Sequence, residues 1–154
     1  MTDAANSDRI RLGNLSRSPG FLLRLSQLQV FNLFYEALGH DQLRPGEFSV
    51  IWLISLNPGV RQGVLAKRLM IKPAHMTKLV KRLEDAGHVQ RTIEAGDRRA
   101  VQLTLTAKGK RLVDARKSEV FGYIAHENVR LSAAEMAELT RLLQKFVGIE
   151  GDSL

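Results

Sequence analysis

The chain of 154 residues is 44% hydrophobic and 25% charged, which suits one globular domain with its own core and leaves no room for a second. It has no cysteine, which excludes a disulfide scaffold, a thiolate zinc finger, a cysteine nucleophile and a thiol redox sensor. The net charge of +7 is concentrated, because Arg61 to Arg116 holds 14 Lys/Arg against 5 Asp/Glu while the segments on either side are neutral or slightly acidic. A clustered excess of this kind reads as a polyanion-binding centre between structural ends; a solvated basic face is the alternative.

In chain order, Met1 to Ser16 is polar and of mixed charge, with no apolar core to serve as a signal peptide, so a cytoplasmic location is expected. The longest apolar run, Val50 to Ile54, has five residues against the ~18 that a transmembrane helix needs, so no membrane partner is expected. Ser18-Pro19 has the form of an N-cap and a proline at the first helical position. Leu22, Leu25, Leu28, Phe31, Phe34 and Leu38 then mark one helical stripe up to Gly39. A second, buried helix is predicted from Pro45 through Phe48, Ile51, Trp52 and Ser55 to the stop at Asn57-Pro58-Gly59. Gln62 to Leu69 reads as a short helix with Val64, Leu65 and Leu69 inward. Met70-Ile71-Lys72 is then a tight connection into a helix from Pro73 to Ala86, closed by Gly87. In that helix Met76, Leu79, Val80 and Leu83 follow the core spacing, and His75, Lys78, Lys81 and Arg82 lie opposite.

Beyond Gly87 the period changes to two: Val89 and Ile93 share one parity, and Val101, Leu103 and Leu105 share another, with Glu94 to Asp97 as the turn of a β-hairpin. Thr106 caps a further helix through Leu112, Val113, Val120 and Ile124 towards Val129. Ser132 and Glu135 form a capping box for the last helix, which is predicted to bury Met136, Leu139, Leu142, Leu143 and Phe146.

A short helix, a tight turn, a helix with a basic outer face and a basic hairpin follow the order of a winged helix-turn-helix. The expected fold is therefore mainly α with a small β-hairpin wing, flanked by N- and C-terminal helices. The segments Gln62 to Leu69, Met76 to Gly87 and Asp97 to Gly109 carry a more specific pattern, above all Asp97-Arg98-Arg99 followed by Leu105-Thr106-Ala107-Lys108-Gly109. On these residues the chain resembles the MarR family of bacterial transcription regulators, closely over Val60 to Gly109 and in helix order from Pro19 to Val147.

The resemblance implies roles. Arg99 would enter the minor groove, with Asp97 holding its guanidinium and Arg98 beside it on the wing. Pro73, Ala74, His75, Thr77 and Lys78 open the recognition helix and are candidates for base edges. Arg68, Lys81, Arg82 and Arg91 are assigned to phosphates, which position without reading sequence. Lys72 stands where the family often has Asp or Ser, a poor N-cap that could instead reach phosphate, and Met70 replaces a common glycine in the turn.

The resemblance also implies a homodimer, and the apolar faces of the first and last helices independently nominate them for its interface. That gives a loose segment over 1–17, one domain over 18–147 with dimerisation helices near 18–39 and 106–147 around a DNA-binding core near 45–105, and a tail over 148–154. A small aromatic or phenolic anion is the ligand class such regulators often bind; Arg24, Gln27, Phe31, Phe34, Phe48 and Trp52 are the candidate lining, with core packing as the competing role. No enzyme signature is present: His40, His75, His88 and His126 are scattered, without metal-ligand spacing or a phosphate loop, so no cofactor and no metal site is expected. The reading is a homodimeric regulator, a repressor by preference, bound to pseudo-palindromic double-stranded DNA. A sequence-tolerant architectural protein and a protein-interaction module remain as alternatives.

Overall fold

The computed structural model describes residues 10–39, 43–93, 101–122 and 129–149. A 3-10 turn, Gly13–Arg17, leads into α1, Pro19–Leu38. Local order thus begins inside the segment expected to be loose, where the Leu15 and Ser18 amides donate to the Leu12 and Leu15 carbonyls. Pro19 starts α1 because its fixed φ suits a first helical position; Ser18 occupies the cap but its side chain makes no capping bond. Gly39 ends the helix at φ +76, a backbone that only glycine adopts freely.

Helix α2, Pro45–Leu56, repeats the proline start, and the Glu47 carboxylate accepts the orphan Arg44 amide at 3.0 Å. A two-residue strand, β1 (Val60–Arg61), then precedes α3 (Gln62–Arg68) and α4 (Pro73–Asp85). Strand β2, Val89–Ile93, and β3, Val101–Leu105, pair antiparallel with Val89 opposite Leu105 and Ile93 opposite Val101. β1 adds to the other edge of β3, Val60 opposite Leu103, so the sheet order is β1-β3-β2. The sequence reading missed β1, since two residues are too few to show a period of two. The predicted turn from Glu94 to Asp97 lies outside the described residues.

Helices α5, Ala107–Gly122, and α6, Ala133–Val147, complete the chain; the predicted continuation of α5 through Ile124 lies outside the described residues. Thr106 and Gly109 make the joint between sheet and α5. The Thr106 hydroxyl accepts the Gly109 amide at 3.1 Å and donates to the Gly87 carbonyl at 2.6 Å. A Cβ at Gly109 would fall 2.1 Å from the His88 carbonyl oxygen, so only glycine allows α5 to approach this closely. At α6 the expected capping box forms: the Glu135 amide donates to Ser132 Oγ at 3.3 Å, and the Glu135 carboxylate accepts the Ser132 amide at 2.8 Å. Those bonds hold the Glu135 carboxyl below its ordinary pKa.

One core joins Phe34 of α1, Val50, Ile51 and Ile54 of α2, Leu65 of α3, Met76, Val80 and Leu83 of α4, and Val89 and Leu103 of the sheet. The core spacing read in α4 is therefore the buried face, including Leu79. The burial expected in the last helix needs correction, and the α1 stripe is open too. In α6 no residue is buried: Leu139, Leu142, Leu143 and Phe146 are exposed, Phe146 at 72%. In α1 only Phe34 is buried, and Leu22, Leu25 and Leu28 are open. A helical stripe reveals that a face wants covering, but not that its own chain covers it. No helix among the described residues is long and apolar enough to cross a membrane.

Candidate nucleic-acid interface

The turn between α3 and α4 sets the geometry of the basic centre. Met70 takes φ +53, so the left-handed turn that glycine usually supplies is kept, and a methionine carries its strain in the open at 86% exposure. Lys72 stands at the N-cap of α4 with extended backbone and no side-chain capping bond; only its carbonyl is engaged, accepting the His75 amide at 2.9 Å.

Pro73, Ala74, His75, Thr77 and Lys78 are all exposed along the first turns of α4. The Thr77 hydroxyl is already employed, donating to the Pro73 carbonyl at 3.0 Å and accepting Gln62 Nε2 at 3.1 Å, and so ties α3 to α4. Arg68, Lys72, His75 and Lys78 form no side-chain hydrogen bond or ion pair among the described residues. Their donors are free for an anion near the start of α4, where the helix dipole favours negative charge.

The cations further along behave differently. Lys81 pairs with Asp85 one turn on at 3.0 Å, Arg91 of β2 pairs with Glu84, and Arg82 Nη1 lies 3.1 Å from Glu47 Oε1. All three stood as phosphate contacts in the sequence reading. Arg82 has a structural task of its own, because its partner is a buried carboxylate, 4% exposed, and removing the arginine would strand that charge. No pattern within α4 could have disclosed this, since Glu47 lies in another helix. The wing residues Asp97, Arg98 and Arg99 lie outside the described residues.

Near the basic centre lies a cleft of about 830 Å³ between α1, α2, α5 and the end of α3. Gln27, Phe31, Phe34, Phe48 and Trp52 line it, five of the six residues nominated from sequence. Arg24 does not; it lies exposed one turn earlier on α1. The cation at the cleft is instead Arg68, the residue assigned to phosphate. The wall is aromatic: Phe48 and Trp52 stack at 6.2 Å between centroids, and Phe121 meets Trp52 edge-on at 4.7 Å. Sequence reasoning missed Phe121, which falls at the end of α5 outside any obvious stripe.

His88 sits where Gly87 leaves α4, half-buried, with its Nδ1 buried and without a partner among the described residues. Burial first, and then the charge of Lys108, lowers its pKa below 6.5. No group of three or more His, Cys, Asp or Glu residues suited to a metal occurs among the described residues.

A short helix and a left-handed turn leading to an exposed basic helix, backed by a three-stranded antiparallel sheet, define a winged helix-turn-helix protein of the DNA-binding class. Comparison with known proteins then places it. The MarR family model matches residues 43–101. A protein of Thauera aromatica, named for regulation of the hcr operon, is 30% identical over 92% of this chain and 87% of its own length. An HTH-type transcriptional repressor of Mycobacterium tuberculosis is 32% identical over 64% of this chain and 71% of its own. The repressor CouR, bound to a 23-mer DNA duplex, superposes with a TM-score of 0.75 at 30% identity, covering 92% of this chain and 98% of that one. A mutant MarR from E. coli complexed with operator DNA gives 0.76 at 25% identity, covering 89% and 99%. The chain belongs to the MarR family of transcriptional regulators.

Proposed function

We propose that this regulator is a homodimeric repressor that binds a pseudo-palindromic operator through α4 and the wing and is released by a small aromatic ligand. The observation that carries the reading is the open, unpaired set Lys72, His75 and Lys78 at the amino end of α4, with Arg68 at the end of α3. Free donors on and beside the first turns of an exposed helix suit a groove, where they can reach phosphates and base edges. Ala74 and Lys78 are the candidates for base edges, and Lys72 and Lys81 for phosphate. Arg99, held by Asp97, is assigned to the minor groove, with Arg98 beside it.

Dimerisation is proposed through α1, α5 and α6, around a DNA-reading core over residues 45–105, because the open apolar faces of α1 and α6 ask for a cover of their own kind. The aromatic cleft, with Arg68 at its edge, suits a planar ligand bearing a negative group. CouR has also been seen bound to p-coumaroyl-CoA, at 28% identity and a TM-score of 0.77, which supports an aromatic ligand class.

Selection of bound sequences from random duplexes, followed by footprinting of the winner, tests the reading. An inverted repeat with half-sites about one helical turn apart is the expected result. Smeared protection would favour a sequence-tolerant architectural protein, and absence of protection a protein-interaction module.

A further inference from the structure

Glu47 is the one charged side chain buried among the described residues. Its two oxygens are divided between two helices: Oε2 accepts the Arg44 amide at the start of α2, and Oε1 meets Arg82 Nη1 of α4 at 3.1 Å. A carboxylate is costly to bury, and replacing such a pair by apolar side chains would generally serve stability as well or better. Stability alone is therefore a weak reason for an ion pair here.

The buried face of α4 is apolar. Met76, Leu79, Val80 and Leu83 present one smooth stripe to the core, and burial of such a stripe is non-directional. It fixes how deeply α4 sits but resists small rotations about its axis and slips along it less than polar ties do; two such ties, Thr77 to Gln62 of α3 and Glu84 to Arg91 of β2, run to other elements. A charge-assisted bond to a carboxylate that is itself anchored at the start of α2 is directional and resists both. Because Arg82 lies one turn beyond Lys78, a rotation at Arg82 is transmitted through a continuous helix to Ala74, His75 and Lys78.

We propose that Arg82, acting through Glu47, is a specificity-determining positioning residue: it sets the rotation of the recognition helix and so governs which bases that helix reads, without touching DNA. This rests on the DNA-reading role proposed for α4. It differs from a phosphate contact, which would raise affinity for every sequence alike.

The test compares full-length wild type with Arg82→Gln, Arg82→Lys and Glu47→Gln, titrated against the selected duplex and a scrambled duplex over a salt series, with thermal melting as the check on folding. Glu47→Gln keeps an acceptor for the Arg44 amide, so it remains informative even where Arg82→Gln fails to fold. Arg82→Gln and Glu47→Gln should each reduce the ratio of selected to scrambled affinity by roughly tenfold, the scale of a mismatched base pair, with the salt slope unchanged. Arg82→Lys should restore most of the ratio, and the double variant should lose no more than either single one. A loss shared equally by both duplexes, with a salt slope lower by about one, would make Arg82 a phosphate contact and overturn the inference. An unchanged ratio in folded Glu47→Gln would overturn it too. Wild type without any preference between the duplexes would instead remove the DNA-reading role itself, and this inference with it.

Discussion

The segment from α2 to β3 and the helices α1 and α6 use their apolar residues in opposite ways. In the first, Val50, Ile51, Ile54, Met76, Val80 and Leu103 are fully enclosed by the chain's own elements. In the second, Leu22, Leu25, Leu28, Leu139, Leu142 and Phe146 remain open. An exposed leucine by itself means little, but two helices with contiguous open stripes, beside a core that is already closed, are the surfaces on which the proposed dimer rests. The core of the DNA-facing unit is closed with help from Phe34 of α1 and Val113 and Val120 of α5, while in the proposed dimer the open faces would set how two such units are spaced.

The sharpest way to break this comparison is a charge on the open stripe. Leu142→Glu should leave the core intact, preserve most of the thermal stability of the α2–β3 unit and convert the dimer to monomer in light scattering. Loss of two-site binding should then weaken operator affinity by about a hundredfold or more. A variant that stays dimeric with full affinity would move the interface elsewhere.

The next effect belongs to the closed region. Gly109→Ala drives a Cβ to within 2.1 Å of the His88 carbonyl oxygen, a backbone atom that cannot swing aside. Overpacking of this kind typically costs about 1–3 kcal/mol, so the urea midpoint should fall clearly while the protein stays dimeric. Met70→Gly should act in the reverse sense, since it relieves a left-handed side-chain clash worth roughly 1–2 kcal/mol less the added chain entropy of glycine. A gain of at most about 1 kcal/mol in denaturant titrations is expected, and a loss would mean that the exposed methionine has contacts in the assembly.

The smallest effect is one of pH. Because burial and Lys108 lower the pKa of His88 in the fold, the unfolded chain takes up its proton first as pH falls. The stability linked to this group is therefore full above pH 6.5 and lost as pH drops below it. His88→Gln should flatten the dependence of the melting temperature between pH 7.5 and 5.5; an unchanged slope would assign the dependence to other groups.

Most of the architecture was legible because its punctuation is local. Pro19, Pro45 and Pro73 open helices, Gly39 and Gly87 stand at or just beyond their ends, and Ser132 with Glu135 starts the last one. The wing motif was legible for a steric reason that the structure now supplies in part, since Thr106 and Gly109 fasten α5 to the Gly87-His88 backbone. Long-range choices were not legible. Arg82 and Glu47 are 35 positions apart, and only packing brings them to 3.1 Å. Arg68 looked like any basic residue at the end of a short helix, yet it borders the aromatic cleft. The stripe of α6 was read as buried, yet the chain leaves it open, because amphipathicity carries no address.

The account's central claim is that the open helices pair two chains so that two copies of α4 read neighbouring major-groove segments. Sedimentation of the chain with the selected duplex, and with a duplex keeping one half-site, tests it most directly. Two chains should bind the full duplex at once, and destruction of one half-site should weaken binding steeply while leaving any complex at two chains. One chain per duplex, held as tightly by the half-site as by the whole, would contradict it.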